Sequence, residues 1–189
     1  MLLRSFIDKI NESFTGLLPG IKVFGLAQSI VRTVGVELEL LPGVVDRNGE
    51  IKNVDLDDAD PVRIYHRNAG ITVTRVAQRQ GYGDEFNDVI NTYQMAMIVY
   101  INHKRSKLFP EELFLLLQSN LPDALKSEPY KSIYIRPANV ILNSQLVFAA
   151  EYSGTTFKLP PEHSLFQINY TIETTFAKKC FEKCPEECK

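Results

Sequence analysis

The sequence predicts an α+β fold: a single mostly antiparallel sheet with two main helices packed on it and a projecting β-hairpin arm. Three observations lead there. Runs of strand-patterned residues are interrupted by two segments with helical periodicity, and hairpin signals recur between the strands. One of the best-specified strands, "LFQINYTIETTF", stands almost at the end of the chain.

The first helix follows from Leu3, Phe6, Ile7, Ile10, Phe14 and Leu17, spaced three and four apart with Arg4, Asp8, Lys9 and Glu12 between them. "TGLLPG" stops it with Gly16, Pro19 and Gly20. Val34, Val36, Leu38 and Leu40 then alternate with Glu37 and Glu39, the pattern of a half-buried strand. Asn48-Gly49 marks a hairpin, because both residues tolerate positive φ. A second hairpin is expected at "RNAG", with Gly70 in the turn between two β-branched runs.

"RQGYGDEFND" reads as a loop leading into "TYQMAMIVYI". There Tyr93, Met95, Met97, Val99 and Ile101 form one face and Ala96, Ile98 and Tyr100 the other, which predicts a central strand covered on both sides. The second helix, "FPEELFLLLQSNLP", has Pro110 where a missing N–H costs nothing and Glu111 and Glu112 at the positive end of the dipole. Leu113, Leu116, Leu117 and Leu121 form its buried stripe, and Pro122 ends it. "SIYIRPANVILNSQLVFAAEY" is expected to be one long strand broken by Pro137. In the terminal strand Phe166, Ile168, Tyr170, Ile172 and Phe176 face one way, and a slip of one residue would put them in water. These elements make one domain over residues 1–176, with the hairpin arm at about 36–67 and a cysteine-containing tail at 177–189.

Composition narrows the function classes. The 189 residues are 44% hydrophobic and 23% charged, which suits one folded domain with a full core. A net charge of −2 removes the main electrostatic argument for nucleic-acid binding. The N-terminal "MLLRSFIDKINESF" is interrupted by Arg4, Asp8 and Lys9, unlike a signal peptide, and no apolar run approaches the about 20 residues of a membrane span. All three cysteines fall in the last ten residues, so a reducing, cytoplasmic setting is expected and no membrane partner.

No chemistry-bearing constellation stands out. His66, His103 and His163 lack a second ligand at helical or hairpin spacing and are expected at the surface or at strand ends. There is no nucleophile elbow, phosphate-cradling loop or His-Glu-x-x-His helix, so no enzymatic activity and no cofactor are expected. Asp55, Asp57, Asp58 and Asp60 could hold a hard cation, but the run lacks the glycine and later glutamate of a calcium loop and reads as a solvated turn. Cys180, Cys184 and Cys188 recur every four residues and would share a helix face. Pro185 disturbs that helix and a closed zinc site wants four ligands, so a frayed tail is the plainer reading. The arm carries Val44, Val45, Ile51, Val54 and Leu56, more apolar surface than the sheet itself can cover, and these are the candidate subunit-interface residues. The alternative is an arm folded back on its own domain.

Taken together, "LLRSFIDKINESF", the hairpin region, "YQMAMIVYINHKRSKLFPEELFLLLQSNLP" and "FQINYTIETTF" resemble the tail-terminator and tail-completion proteins of tailed bacteriophages, with their related neck and connector ring proteins, over residues 1–176. The resemblance implies a non-enzymatic, homo-oligomeric ring, hexameric or dodecameric, located in the virion and assembled in the host bacterial cytoplasm. Its neighbours would be portal, adaptor or tail-tube proteins, with DNA passing through the channel without specific binding. The acidic residues Asp55, Asp57, Asp58 and Asp60 would then suit a channel wall or an inter-ring contact, since like charge keeps DNA from sticking. The chain is longer than many terminators, and the Cys-bearing tail belongs to no family pattern, which leaves room for a different ring of the same neck. The rival reading is a soluble adaptor acting through its hairpin arm.

Overall fold

In the computed structural model, residues 2–34, 37–45, 51–54, 60–76, 88–126, 130, 132–153 and 158–177 are described. Helix α1 (Leu2–Phe14) places Phe6, Ile7, Ile10 and Phe14 on one stripe, and all four are fully buried. Gly16 and Gly20 end it at positive φ, and Gly20 lies so close to Pro61 that a Cβ would sit 2.7 Å from the ring. The strands are β1 (Ile21–Val34), β2 (Glu37–Val45), β3 (Ile51–Asn53), β4 (Val62–Val76) and β5 (Asp88–Asn102). After helix α2 (Pro110–Asn120) come β6 (Ala124–Leu125), β7 (Ser132–Ile141), helix α3 (Ser144–Glu151) and β8 (His163–Ala177).

The strands form one mixed sheet of eight, in the order β3-β2-β1-β4-β5-β8-β7-β6. Every neighbouring pair is antiparallel except β1 and β4, which run parallel. The α+β expectation therefore holds. β5 is central, paired along its length with β4 and β8, and residues 95–102 are buried. Its alternation splits the core. Met95, Met97, Val99 and Ile101 join Phe6, Ile10, Leu113, Leu117, Phe166, Ile168 and Ile172 in one cluster under α1 and α2. Ala96, Ile98 and Tyr100 join Val147, Phe148 and Tyr152 of α3 in a second cluster on the other face. Each fully buried Phe, Ile or Leu side chain contributes about 1.5–3 kcal/mol by leaving water, so both clusters matter to the fold.

Four features depart from or add to the sequence reading. The segment before Val34 is a strand, β1, whose pairing with β4 is irregular between Val23 and Leu26. "RNAG" is not a hairpin: β4 runs straight through it, with a register shift between Asn68 and Gly70, and the Gly70 N–H donates to Asn68 Oδ1 (3.0 Å). One extra residue is absorbed as a bulge, and β4 stays paired with β5 on both sides of it. The long strand at 132–152 is instead β7 followed by α3. The Asn143 side chain accepts from the Leu146 N–H and caps that helix, and α3 packs on the face opposite α1 and α2.

The fourth concerns the arm over residues 36–67. Its described strands are members of the sheet: β2 and β3 lie at one edge and 62–67 pair with both β1 and β5. The flanks of Asn48-Gly49 pair as expected, Val45 opposite Ile51, while the turn itself lies outside the described residues.

Candidate interaction surface

Pairing between β1 and β4 stops at Ala27 opposite Arg67. Beyond it β1 pairs only with β2, out to Val34 opposite Glu37, while β4 pairs only with β5, out to Val76 opposite Asp88. The sheet thus divides, among the described residues, into two limbs. The chain has two reasons to divide here: the bulge after Asn68 re-aims β4, and β1 loses alternation at "GLAQS".

A polar cluster sits where the limbs part. Arg67 donates through Nη1 to Ser29 Oγ of β1 (2.9 Å) and through Nε to Glu151 of α3. Glu151 also accepts from the Tyr65 hydroxyl (2.8 Å). Burial pushes the Glu151 carboxyl above its usual range, with the Arg67 charge opposing. Burial, reinforced by the Glu151 charge, drives the Tyr65 phenol well up. Tyr152, at the C-terminal cap of α3, reaches the Val54 carbonyl (3.4 Å), so α3 and its cap tie β4 to the segment after β3, and Arg67 carries the link on to β1.

The limbs expose apolar side chains. Val31 (62% exposed) stands opposite Leu40 on the β1–β2 limb, and Leu38 (66%) lies two residues before Leu40. On β4, residues 71–74 are all exposed, so both faces are open, and Ile71 and Val73 are more than half exposed. Isolated exposed hydrophobes are ordinary; a set confined to adjacent strands marks an interaction surface. By contrast the ends of the sheet are blunted. The terminal strands β3 and β6 have three and two residues, and β7 beyond β6 carries Pro137 and a register shift.

The predicted site residues fall out unevenly. Val44 and Val54 are buried in the chain's own second cluster, with Leu41, so they are core residues in this chain; Ile51 is exposed. Burial of those two follows from α3, which the sequence reading did not contain. The Val45 side chain, Leu56, Asp55, Asp57, Asp58, Cys180, Cys184 and Cys188 lie outside the described residues. Asp60 is half-buried and pairs with Arg63 (3.1 Å) and Lys22 (3.3 Å), so it is neutralised locally.

The sequence reading did not mark Val31, Leu38, Leu40, Ile71 and Val73 as a contact surface, although "ELEL" and "ITVTRV" are visibly alternating. His66 also departs from expectation. It is fully buried mid-strand, bonded to Asn11 Oδ1 and the Tyr170 hydroxyl (2.8 Å each), and burial lowers its pKa to about 3.

Among the described residues no three His, Cys, Asp or Glu side chains converge as a metal site, and no helix is long and apolar enough to cross a membrane. A shallow depression of about 450 Å³ lies at the β5–α2 junction, lined by His103, Ser106, Lys107, Phe109 and Pro110. No protein-family model matches the chain, and no curated protein matches it.

Proposed function

We propose that this chain is a structural subunit of a homo-oligomeric ring in the neck or tail of a tailed bacteriophage, a tail terminator or connector ring through which DNA passes. The observation that carries the reading is the divided sheet: among the described residues, two limbs with unpaired strand edges, each with exposed apolar side chains, on a sheet whose terminal strands are short. An unpaired, apolar, β-branched edge in water is a standing invitation to another strand, and a protein tolerates it where assembly covers it. The limb of β1 and β2 beyond Ala27 is then the projecting arm, displaced towards the N-terminus from the 36–67 expected, and the strap of α3 and Arg67 holds it at a fixed angle.

The resemblance in element order to phage terminators supplies the ring and its setting in the virion, with portal, adaptor or tail-tube proteins as neighbours. The chemistry of the surface supports a mechanical role, in which contact geometry stops or joins tubes. Electron microscopy of the purified full-length chain, with mass measured by light scattering across a concentration series, tests this. Closed rings of one stoichiometry support it; a chain that stays monomeric and is captured whole on a foreign partner favours the adaptor reading.

A further inference from the structure

We infer that the depression at the β5–α2 junction is a binding site for a nucleoside phosphate, with the base on Phe109 and the phosphate against Lys107, His103 and the Ser106 hydroxyl. This goes beyond the ring reading and does not rest on it.

The junction begins "HKRSK", three cations and an imidazole within residues 103–107 of a chain whose net charge is −2. Near-neutrality overall therefore conceals a local basic patch. The turn that carries it is fixed from beneath. Asn102 is fully buried, and its carbonyl accepts from the Arg105 and Ser106 N–H groups (3.0 and 2.8 Å). Its Oδ1 accepts from the Lys104 N–H (3.0 Å). The His103 N–H donates to the Glu162 carbonyl (2.8 Å), and the Leu108 N–H to Ser106 Oγ (3.2 Å). A backbone held in this way need not be ordered by its ligand, which lowers the cost of binding.

Charge and shape then select the ligand. Lys104 is engaged by Glu162, and Glu112 accepts from the Phe109 N–H. Arg105 and Lys107 are exposed and, among the described residues, have no acidic partner. His103 uses one ring nitrogen on Ser164 Oγ (2.8 Å) and keeps the other. Ser106 is buried and its oxygen already accepts from Leu108, so its O–H is left to donate. These groups suit an anion. In the same depression Phe109, 64% exposed, and Pro110 supply an apolar wall. Its volume of about 450 Å³ is that of a small-ligand site. A bare phosphate would leave the Phe109 ring in water, and an uncharged aromatic would leave the cations unpaired. A nucleoside phosphate uses both, its base stacking and its phosphate taking charge-assisted hydrogen bonds.

Isothermal titration of the full-length protein tests the site with AMP, adenosine, inorganic phosphate and a deoxyadenosine decamer. AMP is expected to bind, and adenosine and phosphate each at least about tenfold more weakly. Phe109→Ala and Lys107→Glu should each weaken AMP binding about tenfold. Both side chains are exposed, so the variants should keep the parental melt. If either loses it, Phe109→Leu or Lys107→Gln takes its place. A decamer that binds more than about tenfold tighter than AMP identifies a nucleic-acid strand as the source of the nucleotide, and one no tighter than that identifies a free nucleotide. The assignment is overturned if AMP and the decamer both fail to bind, if phosphate or adenosine alone matches AMP, or if either variant binds like the parent. A glutamate decamer that binds as tightly as the DNA overturns it too, in favour of an acidic peptide. Closed rings that bind no nucleotide would overturn this site and leave the ring reading standing.

Discussion

His66 shows how a single residue can be held neutral. Asn11 donates its amide N–H to the Phe24 carbonyl (2.9 Å), which leaves Asn11 Oδ1 to accept from His66 Nε2–H. Nδ1 then accepts from the Tyr170 hydroxyl, and among the described residues no carboxylate adjoins the ring to repay the desolvation of a charge. Replacing His66 by Leu leaves Asn11 and Tyr170 each missing a buried partner and should cost about 2–4 kcal/mol at pH 7 by urea unfolding. The pH dependence has a definite sign. The folded pKa of about 3 lies below the unfolded 6.5, so the His66 contribution is complete above pH 6.5 and is lost as pH falls toward 3. Between pH 6.5 and 4.5 it falls by about 2–3 kcal/mol, so the deficit of His66→Leu should shrink by that amount at pH 4.5; a constant deficit would contradict the buried neutral ring. Glu151, raised above its ordinary value, works the other way, its contribution complete below pH 4.5 and lost as pH rises through its folded value. It is common to both proteins and cancels. The sequence could not reveal His66, because its partners stand 55 and 104 residues away.

Whether an element could be read from the sequence depended on how much of it the core uses. β5 and β8 pair through the middle of the sheet, so their alternation is strict and their register readable without a structure. β1 serves two environments, half beside β4 and half on the limb, and its irregular pairing breaks the period that would have announced it. α3 is eight residues long and contains Leu146, Val147 and Phe148, which suit a strand equally well; its one local signal is Asn143. Asn143→Ala should therefore cost about 1 kcal/mol by chemical denaturation, whereas Leu146→Ala, at an exposed position, should change stability by less than about 0.5 kcal/mol. Gly20→Ala meets two obstacles together, the positive φ and the Pro61 ring, and should cost about 1–3 kcal/mol. An unchanged melting midpoint for Gly20→Ala would show that the α1–β1 turn is not fixed by that approach.

At the scale of the whole molecule, the sheet is well covered by helices at its centre and opens into limbs at one side. The class of fold and the two-sided centre were readable from residues 88–176, and the apolar excess was readable too, but not its place. The apolar count pointed to Val44 and Val54, which α3 covers, and the exposed set lies instead on strands that lack a partner on one side among the described residues. A sequence shows how apolar a strand is; only topology shows which of its sides has no neighbour. The central claim is that these limbs are closed by copies of the same 21.5 kDa chain. The most direct test is the mass of the full-length protein in solution, measured by light scattering over a wide concentration range. The claim predicts one discrete multimer, an integral multiple of the chain mass, that appears as a closed ring in electron micrographs. A single 21.5 kDa species at every concentration would contradict it.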